Sequence, residues 1–221
     1  MGSYEANLSI VFFLLNLHMK FYQLFFILFL IHCNKNVQNE SKSVSVPVTE
    51  NFDKNISQEK LLIDTNNKII NLLKTKDYQK ISEYIDPEKG IRCSMYSYIS
   101  NKDKSFSKSE FEKYIDSDEK FTFGQKDGSG ADFIASLDDY FRNWVFKKDF
   151  SKAKINYQIF EGKGNTLNNI KEKYPDAITV ENYMAGTVEY SYMDWNSLIL
   201  IFKKIGNQYY LVGIANNQWT V

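Results

Sequence analysis

The stretch LILIFKKIGNQYYLVGIA, residues 198–215, decides the fold. Two apolar runs, residues 198–202 and 209–214, stand on either side of Gly206 and Asn207. A glycine beside an asparagine suits a tight turn, so the stretch predicts a β-hairpin. Successive residues in both runs are apolar, which indicates strands that are buried on both faces. We therefore expect this hairpin to form the centre of a sheet, covered on one face by helices.

Three segments before the hairpin also have the composition of strands, namely residues 154–160, 177–184 and 187–192. Glycines and one proline separate them, as turn residues usually separate strands. The last third of the chain is therefore predicted to be rich in strands.

The first half of the folded part predicts helices. An apolar pattern at helical spacing starts after Ser57, and Asp77 can cap a second, shorter helix that ends before Pro87. Further on, Ser107 and Glu110 have the spacing of a capping box, which marks the start of another helix.

The segments between these helices predict strands at residues 91–100 and 120–126. A DGSG loop follows at residues 127–130, and we expect an amphipathic helix to begin at Asp132. Its predicted apolar face comprises Phe133, Ile134, Leu137, Phe141, Trp144 and Val145.

Helices in the first half and strands in the last third make an α+β pattern. We predict N-terminal helices packed on a curved antiparallel sheet, which the C-terminal third mainly forms. The predicted order of elements is a helical hairpin, a short strand, more helix and then a long antiparallel sheet. This order resembles that of the cone-shaped nuclear transport factor-like domains.

Residues 19–33, MKFYQLFFILFLIHC, have the pattern of a lipoprotein export signal. Lys20 supplies the positive flank, an unbroken apolar run follows, and Leu-Ile-His-Cys resembles the lipobox that ends such signals in bacteria. The expected lipidation site is Cys33. His32 departs from this pattern, because the residue before a lipobox cysteine is usually very small.

An alternative joins residues 8–31 into one uncleaved membrane anchor, whose length suits a bilayer. That arrangement places Lys20 near the middle of the span, at a cost of roughly 2.5–3.5 kcal/mol. We therefore predict a mis-start extension at 1–18, a signal peptide at 19–33, a flexible tether at 34–56 and a single α+β domain at 57–221. The expected location is the bacterial cell envelope, outside the cytoplasm.

Charge and histidine content exclude several functions. The 27 basic and 27 acidic residues balance, which argues against a nucleic-acid partner. Both histidines, His18 and His32, precede Cys33, so the mature domain would lack the commonest general base and metal ligand. Cys93 would be its only other cysteine, and we expect it to be a small buried side chain rather than a nucleophile. We expect no cofactor, no metal site and no catalytic residue.

The candidate pocket comprises Arg92, Tyr96, Asp194, Trp195 and Trp219. An arginine in a half-buried strand could recognise a carboxylate, although such residues more often pair with an internal acid. Asp194 and the two tryptophans could line the mouth of a cavity on the sheet. The tryptophans could equally complete the core.

Two other patterns have simpler explanations. The DGSG loop lacks the longer pattern of a phosphate loop and the ligand positions of a calcium loop, so a turn before a helix is favoured. Asp138 and Asp139 are adjacent on a predicted helix and point in different directions, which makes them poor acid–base partners.

The end of the chain resembles a family of uncharacterised bacterial secreted and lipoprotein domains. The matching segments are DWNSL at 194–198, YYLVGI at 209–214, QWT at 218–220, YIDPEKG at 84–90 with Arg92, DGSG at 127–130 and GKGNT at 162–166. The resemblance implies an exported domain and supplies no chemistry.

The sequence therefore predicts a non-catalytic domain, attached to a membrane through a lipid, that binds a small ligand or a protein partner. One alternative is a hydrolase or isomerase that uses a carboxylate in a cone-shaped cavity, with Asp194 as the acid. A second alternative is a structural protein of the envelope.

Overall fold

A computed structural model describes residues 49–220, and their side chains from residue 57 onward. Its strands are β1 (Ile91–Ser94), β2 (Lys104–Phe106), β3 (Lys120–Gln125), β4 (Asp132–Ser136), β5 (Lys154–Tyr157), β6 (Ile178–Met184), β7 (Asn196–Ile205) and β8 (Gln208–Gln218). Its α-helices are α1 (Thr49–Thr75), α2 (Lys108–Tyr114), α3 (Leu137–Tyr140) and α4 (Ile170–Lys173). The predicted signal peptide, Cys33 and most of the predicted tether lie outside the described residues.

The predicted hairpin is present as β7 and β8, which pair antiparallel along their whole length. Gly206 makes the turn with a φ of +59°, a conformation that glycine adopts without strain. Leu200 and Ile201 lie on opposite faces of β7, and both are fully buried. The prediction of strands buried on both faces is confirmed.

Six strands form one mixed sheet in the order β2-β1-β8-β7-β6-β5, and β3 and β4 form a separate hairpin. The α+β class is confirmed. The expectation of an antiparallel sheet needs one correction, because β1 pairs parallel to β8, with Arg92 opposite Gly213. About 120 residues of chain separate these two strands, which is ample for the crossover that a parallel pair requires.

Helix α1 packs on one face of the sheet, against β5 and β6, and runs in the same direction as β6. Gln58 donates to the Tyr157 hydroxyl (3.1 Å), and the buried amides of Asn66 and Asn182 exchange two hydrogen bonds of 2.8 Å. Near the end of α1, Lys74 pairs with Asp149. The helix begins at Thr49 rather than after Ser57, so the last residues of the predicted tether are helical.

The other face of the sheet is also buried, although helices were expected on one face only. Ile199, Ile201, Val212 and Ala215 form a second core with Ile99 and Ile170. The chain between β5 and β6, which includes α4, supplies most of this cover. The central hairpin is therefore enclosed by helices on one side and by a long connection on the other.

Residues 132–136 form strand β4, where an amphipathic helix was predicted. Ala135 is buried while Ile134 is 59% exposed, so alternate side chains face the core. The helix starts only at Leu137, where the Ser136 hydroxyl accepts a hydrogen bond from the Asp139 N–H (3.2 Å). A short apolar run fits the spacing of a helix and the alternation of a strand equally well, and here the pairing with β3 selects the strand.

Three further predictions of local structure are wrong or partly wrong. The strand at 91–100 ends at Ser94, because its hydroxyl donates to the Tyr96 carbonyl (2.8 Å) and turns the chain. The strand at 187–192 is a 3₁₀ turn whose side chains point outward, with Val188 75% exposed. The shorter helix capped by Asp77 is a 3₁₀ helix over Tyr78–Tyr84, and the Asp77 side chain makes no capping hydrogen bond.

Candidate binding cleft

A cleft of about 710 Å³ opens at the end of the sheet where β1 and β8 finish. The turn after β1 forms one wall, the β3–β4 hairpin forms a second, and the long connection between β5 and β6 forms a third. The lining residues include Ser94, Tyr96, Tyr98, Lys102, Asp103, Phe123, Asp127, Asp132, Asn165, Thr166 and Thr220. Aromatic rings, hydroxyl groups and carboxylates thus share one concave surface.

Tyr96 is a rigid part of this wall. Its hydroxyl accepts a hydrogen bond from the Asp127 N–H (2.8 Å), which joins the β1 turn to the β3–β4 hairpin. Its ring meets Trp144 edge-on with centroids 5.6 Å apart, and the Trp144 indole donates to the Met95 carbonyl (2.8 Å). Burial raises the pKa of Tyr96, so the hydroxyl stays protonated at neutral pH.

The β3–β4 hairpin approaches the β1 turn closely because of Gly124. This glycine has a φ of +151° at an irregular step in the β3–β4 pairing. A Cβ placed there would lie 3.1 Å from the sulfur of Met95. The absence of a side chain therefore lets the two walls pack against each other.

Asp103 is the half-buried carboxylate of the cleft. It accepts a hydrogen bond from the Ser100 N–H (2.8 Å), which closes the turn between β1 and β2. Burial raises the pKa of Asp103, while the Ser100 hydrogen bond and the charge of Arg92 oppose the rise. An acid of this kind, in a concave site, is a candidate for binding or proton transfer.

Arg92 lies behind the cleft rather than in its lining. Its guanidinium donates to the carbonyl of Ser100 (3.3 Å), on the turn that carries Asp103. Within residues 57–220, Arg92 has no acidic partner within 4.0 Å, so the ion pair that such a residue usually makes is not formed here. Its contacts suit support of the Ser100–Asp103 turn rather than direct recognition of a carboxylate.

Stacked aromatic rings lie beneath the cleft. Phe123, which lines it, stacks face to face on Tyr140 with ring centroids 3.8 Å apart. Tyr140 is fully buried, and its hydroxyl has no hydrogen-bond partner among residues 57–220. Burial raises the pKa of Tyr140 well above its usual value, so this hydroxyl remains neutral.

The structure places Asp194 away from the cleft. Its carboxylate accepts from the N–H (2.6 Å) and the hydroxyl (3.2 Å) of Thr187, and Lys148 donates to its backbone carbonyl. The Thr187 hydrogen bonds hold the pKa of Asp194 below its ordinary value. Asp194 therefore lies outside the lining of this cleft, on the turn that it caps.

The two predicted tryptophans have different positions. Trp195 is only 5% exposed and packs under the backbone of Gly162 and Gly164, so closely that a Cβ at Gly162 would lie 2.4 Å from the ring. It supports the segment whose next residues, 165–167, line the cleft. Trp219 is 39% exposed and precedes Thr220, which does line the cleft.

A buried carboxylate fixes the same segment from below. Glu181 on β6 is fully buried and accepts four hydrogen bonds. The donors are Asn156 (3.0 Å), the Glu161 N–H (2.7 Å), the Gly162 N–H (3.3 Å) and the Ser197 hydroxyl (2.7 Å). Each oxygen receives two donors, so the charge is satisfied by neutral groups and the segment is pinned to the sheet.

Of the five predicted pocket residues, only Tyr96 lines the cleft. Arg92, Trp195 and Trp219 lie next to residues that line it, and Asp194 caps the exposed 187–193 turn. Asp103, Asp132 and residues 165–167 were not predicted. Both glycine-containing stretches contribute directly to the lining, the DGSG loop through Asp127 and the GKGNT stretch through Asn165 and Thr166.

A scan against protein-family models and a search of curated proteins gave no match to this chain. In the part of the chain that the structure describes, no helix is long and apolar enough to cross a membrane. Within that same part, no three His, Cys, Asp or Glu side chains are grouped to hold a metal ion.

Proposed function

We propose that the domain is a non-catalytic binding module that takes a small ligand in the cleft beside Tyr96. One observation carries this proposal: the cleft is large enough for a small molecule, and its walls are fixed by internal hydrogen bonds. Binding sites for small molecules typically have volumes of about 300–1,000 Å³ and combine apolar surface with a few polar groups. The cleft of about 710 Å³ falls within that range.

The available side chains favour binding over covalent catalysis. Both histidines precede residue 33, so none lies in the described domain. Cys93 is fully buried, and burial raises the pKa of its thiol, which disfavours the nucleophilic thiolate. The cleft hydroxyl of Ser94 donates its hydrogen bond to the backbone carbonyl of Tyr96 (2.8 Å).

A variant that fills the cleft tests the proposal. Thr122 is an exposed residue of β3 in the lining, so Thr122→Trp should occupy the cleft without disturbing the core. Ser105→Trp places the same side chain on an exposed position of β2 outside the lining. Ligand-detected NMR with a small-molecule library should show binders that T122W loses and S105W keeps. A library in which T122W changes no interaction would contradict the proposal.

A second candidate function is acid–base catalysis by Asp103, in place of Asp194. The observation in its favour is a half-buried carboxyl group with a raised pKa in the lining of a cleft. Turnover of p-nitrophenyl esters and glycosides by the wild-type chain, lost in Asp103→Asn, would support it. Equal rates for the two proteins would count against it.

We further propose that the protein is a bacterial lipoprotein, anchored to a membrane of the cell envelope through Cys33. The support is the pattern of residues 19–33, in which Lys20 precedes an apolar run that ends in a lipobox-like tetrapeptide. Intact mass of the exported protein tests this, because cleavage before Cys33 and acylation change the mass in a known way. A Cys33 that is unmodified and still joined to His32 would disprove the lipid anchor.

A further inference from the structure

The charges around the cleft indicate the class of ligand. We propose that the cleft binds an organic cation, in which an amine or ammonium group is carried on a small apolar body. This inference rests on the proposed binding function and gives it a chemical class.

Three carboxylates and one ammonium group line the cleft. Asp127 and Asp132 stand at its exposed rim on the β3–β4 hairpin, and Asp103 is half-buried below them. Across residues 57–220, none of the three forms an ion pair within 4.0 Å. Lys102 in the lining and Arg92 behind Asp103 offset part of this charge, and the surface remains net negative. A concave surface with net negative charge concentrates cations and repels anions.

The nearby lysines do not neutralise this surface. Lys104 lies over the rings of Phe106 (5.0 Å) and Phe121 (4.6 Å), and Lys126 lies over the ring of Phe133 (5.3 Å). Neither lysine lines the cleft. Lys102 does line it but is exposed, so its flexible chain can keep the ammonium group in water.

The uncharged part of the lining suits the body of such a ligand. Tyr98 is half exposed and Tyr96 is partly exposed, so these two rings offer aromatic surface to a ligand, while Phe123 is buried behind them. Aromatic faces attract cations, and they also cover apolar groups. A cavity of about 710 Å³ accommodates a whole molecule rather than a bare ion.

Calorimetry with a matched set of probes tests the ligand class. Phenethylammonium, 2-phenylethanol and 3-phenylpropionate share a similar body and differ in charge, and glucose and calcium chloride complete the set. The purified full-length chain in a non-ionic detergent is titrated with each probe. T122W, whose cleft is filled, corrects for partition of the probes into detergent.

We expect phenethylammonium to bind at least about tenfold more tightly than the neutral and anionic probes, with binding lost in T122W. D127N and D132N should each weaken it up to about fivefold, as for a partly exposed ion pair. Asp176→Asn removes the same charge from an exposed turn outside the lining and should change nothing. Raising the salt concentration should weaken binding of the cation only.

The possible failures are distinguishable. If phenylethanol, phenylpropionate or glucose binds as tightly and T122W abolishes it, the cation class is wrong and the cleft is still a binding site. If calcium alone binds, the organic cation is wrong. If every probe gives the same result with the wild-type chain and with T122W, both the cation inference and the proposed binding function are contradicted.

Discussion

The Glu181 carboxylate allows a sharp prediction, because its replacement by glutamine changes one atom. In the wild-type protein each carboxylate oxygen of Glu181 accepts two hydrogen bonds. In Glu181→Gln an N–H₂ group, which can only donate, takes the place of one of these oxygens. On the Oε1 side, the Ser197 hydroxyl can rotate and accept a hydrogen bond from the new amide. The Gly162 N–H, which donates across 3.3 Å, cannot do so and loses its acceptor.

The magnitude follows from that lost acceptor. A buried donor left without a partner costs about 1–3 kcal/mol, and the alternative amide orientation leaves the Glu161 N–H without its acceptor instead. We therefore expect E181Q to lower the free energy of unfolding by about 2 kcal/mol. In a domain of this size, 2 kcal/mol corresponds to a fall in Tm of about 4–8 °C.

Urea unfolding, followed by tryptophan fluorescence, measures this loss, and Trp195 reports directly on the pinned segment. Glu172→Gln is the matched control, because Glu172 is exposed on α4 and its replacement should change stability by less than about 0.5 kcal/mol. If E181Q is as stable as E172Q, the four donors do not depend on the carboxylate. The account of how residues 161–167 are held would then be wrong.

Three further predictions test other parts of the domain. Tyr140→Phe removes a buried hydroxyl that has no partner, so we expect the urea midpoint to rise, with a gain of about 1 kcal/mol, and a fall would show that the hydroxyl is satisfied. Asp194→Asn should destabilise the 187–193 turn at neutral pH. Because the folded pKa of Asp194 is depressed, the wild-type advantage should be present above about pH 4 and vanish as pH falls through the folded pKa, which parallel pH titrations of stability would show. Cys93 should resist iodoacetamide at pH 8 in the folded protein and react after unfolding, as read by the mass of its peptide; rapid labelling of the folded protein would contradict its burial.

The local signals in the sequence predicted the elements that depend on local chemistry. The turn at Gly206 and the capping box at Ser107 and Glu110 are both present, the latter with the side chain of each residue bonded to the backbone of the other. The helix predicted at residues 132–136 was wrong for a physical reason, because these residues form strand β4. Its apolar residues fit a helix and a strand equally, and only the pairing of Phe121 with Ala135 in the β3–β4 hairpin selects the strand.

The cleft could not be predicted in the same way. Tyr96, Asp132 and Thr220 lie far apart in the sequence, and the parallel pairing of β1 with β8 is part of what brings them together. No local pattern encodes that pairing. Asp194 lies outside this cleft because the turn at Thr187 donates to both of its oxygens, a contact that no local sequence pattern indicates.

The position of β8 has a consequence for the order in which the chain folds. β8 is the last strand of the sequence, yet it lies between β1 and β7 inside the sheet. Its partner β1 is about 120 residues earlier, so the contact that joins the two halves of the sheet closes a very long loop. Domains dominated by such distant contacts fold slowly. A nascent chain that has not yet reached residues 208–218 has no central strand, and the domain therefore completes its core only after β8 has been synthesised.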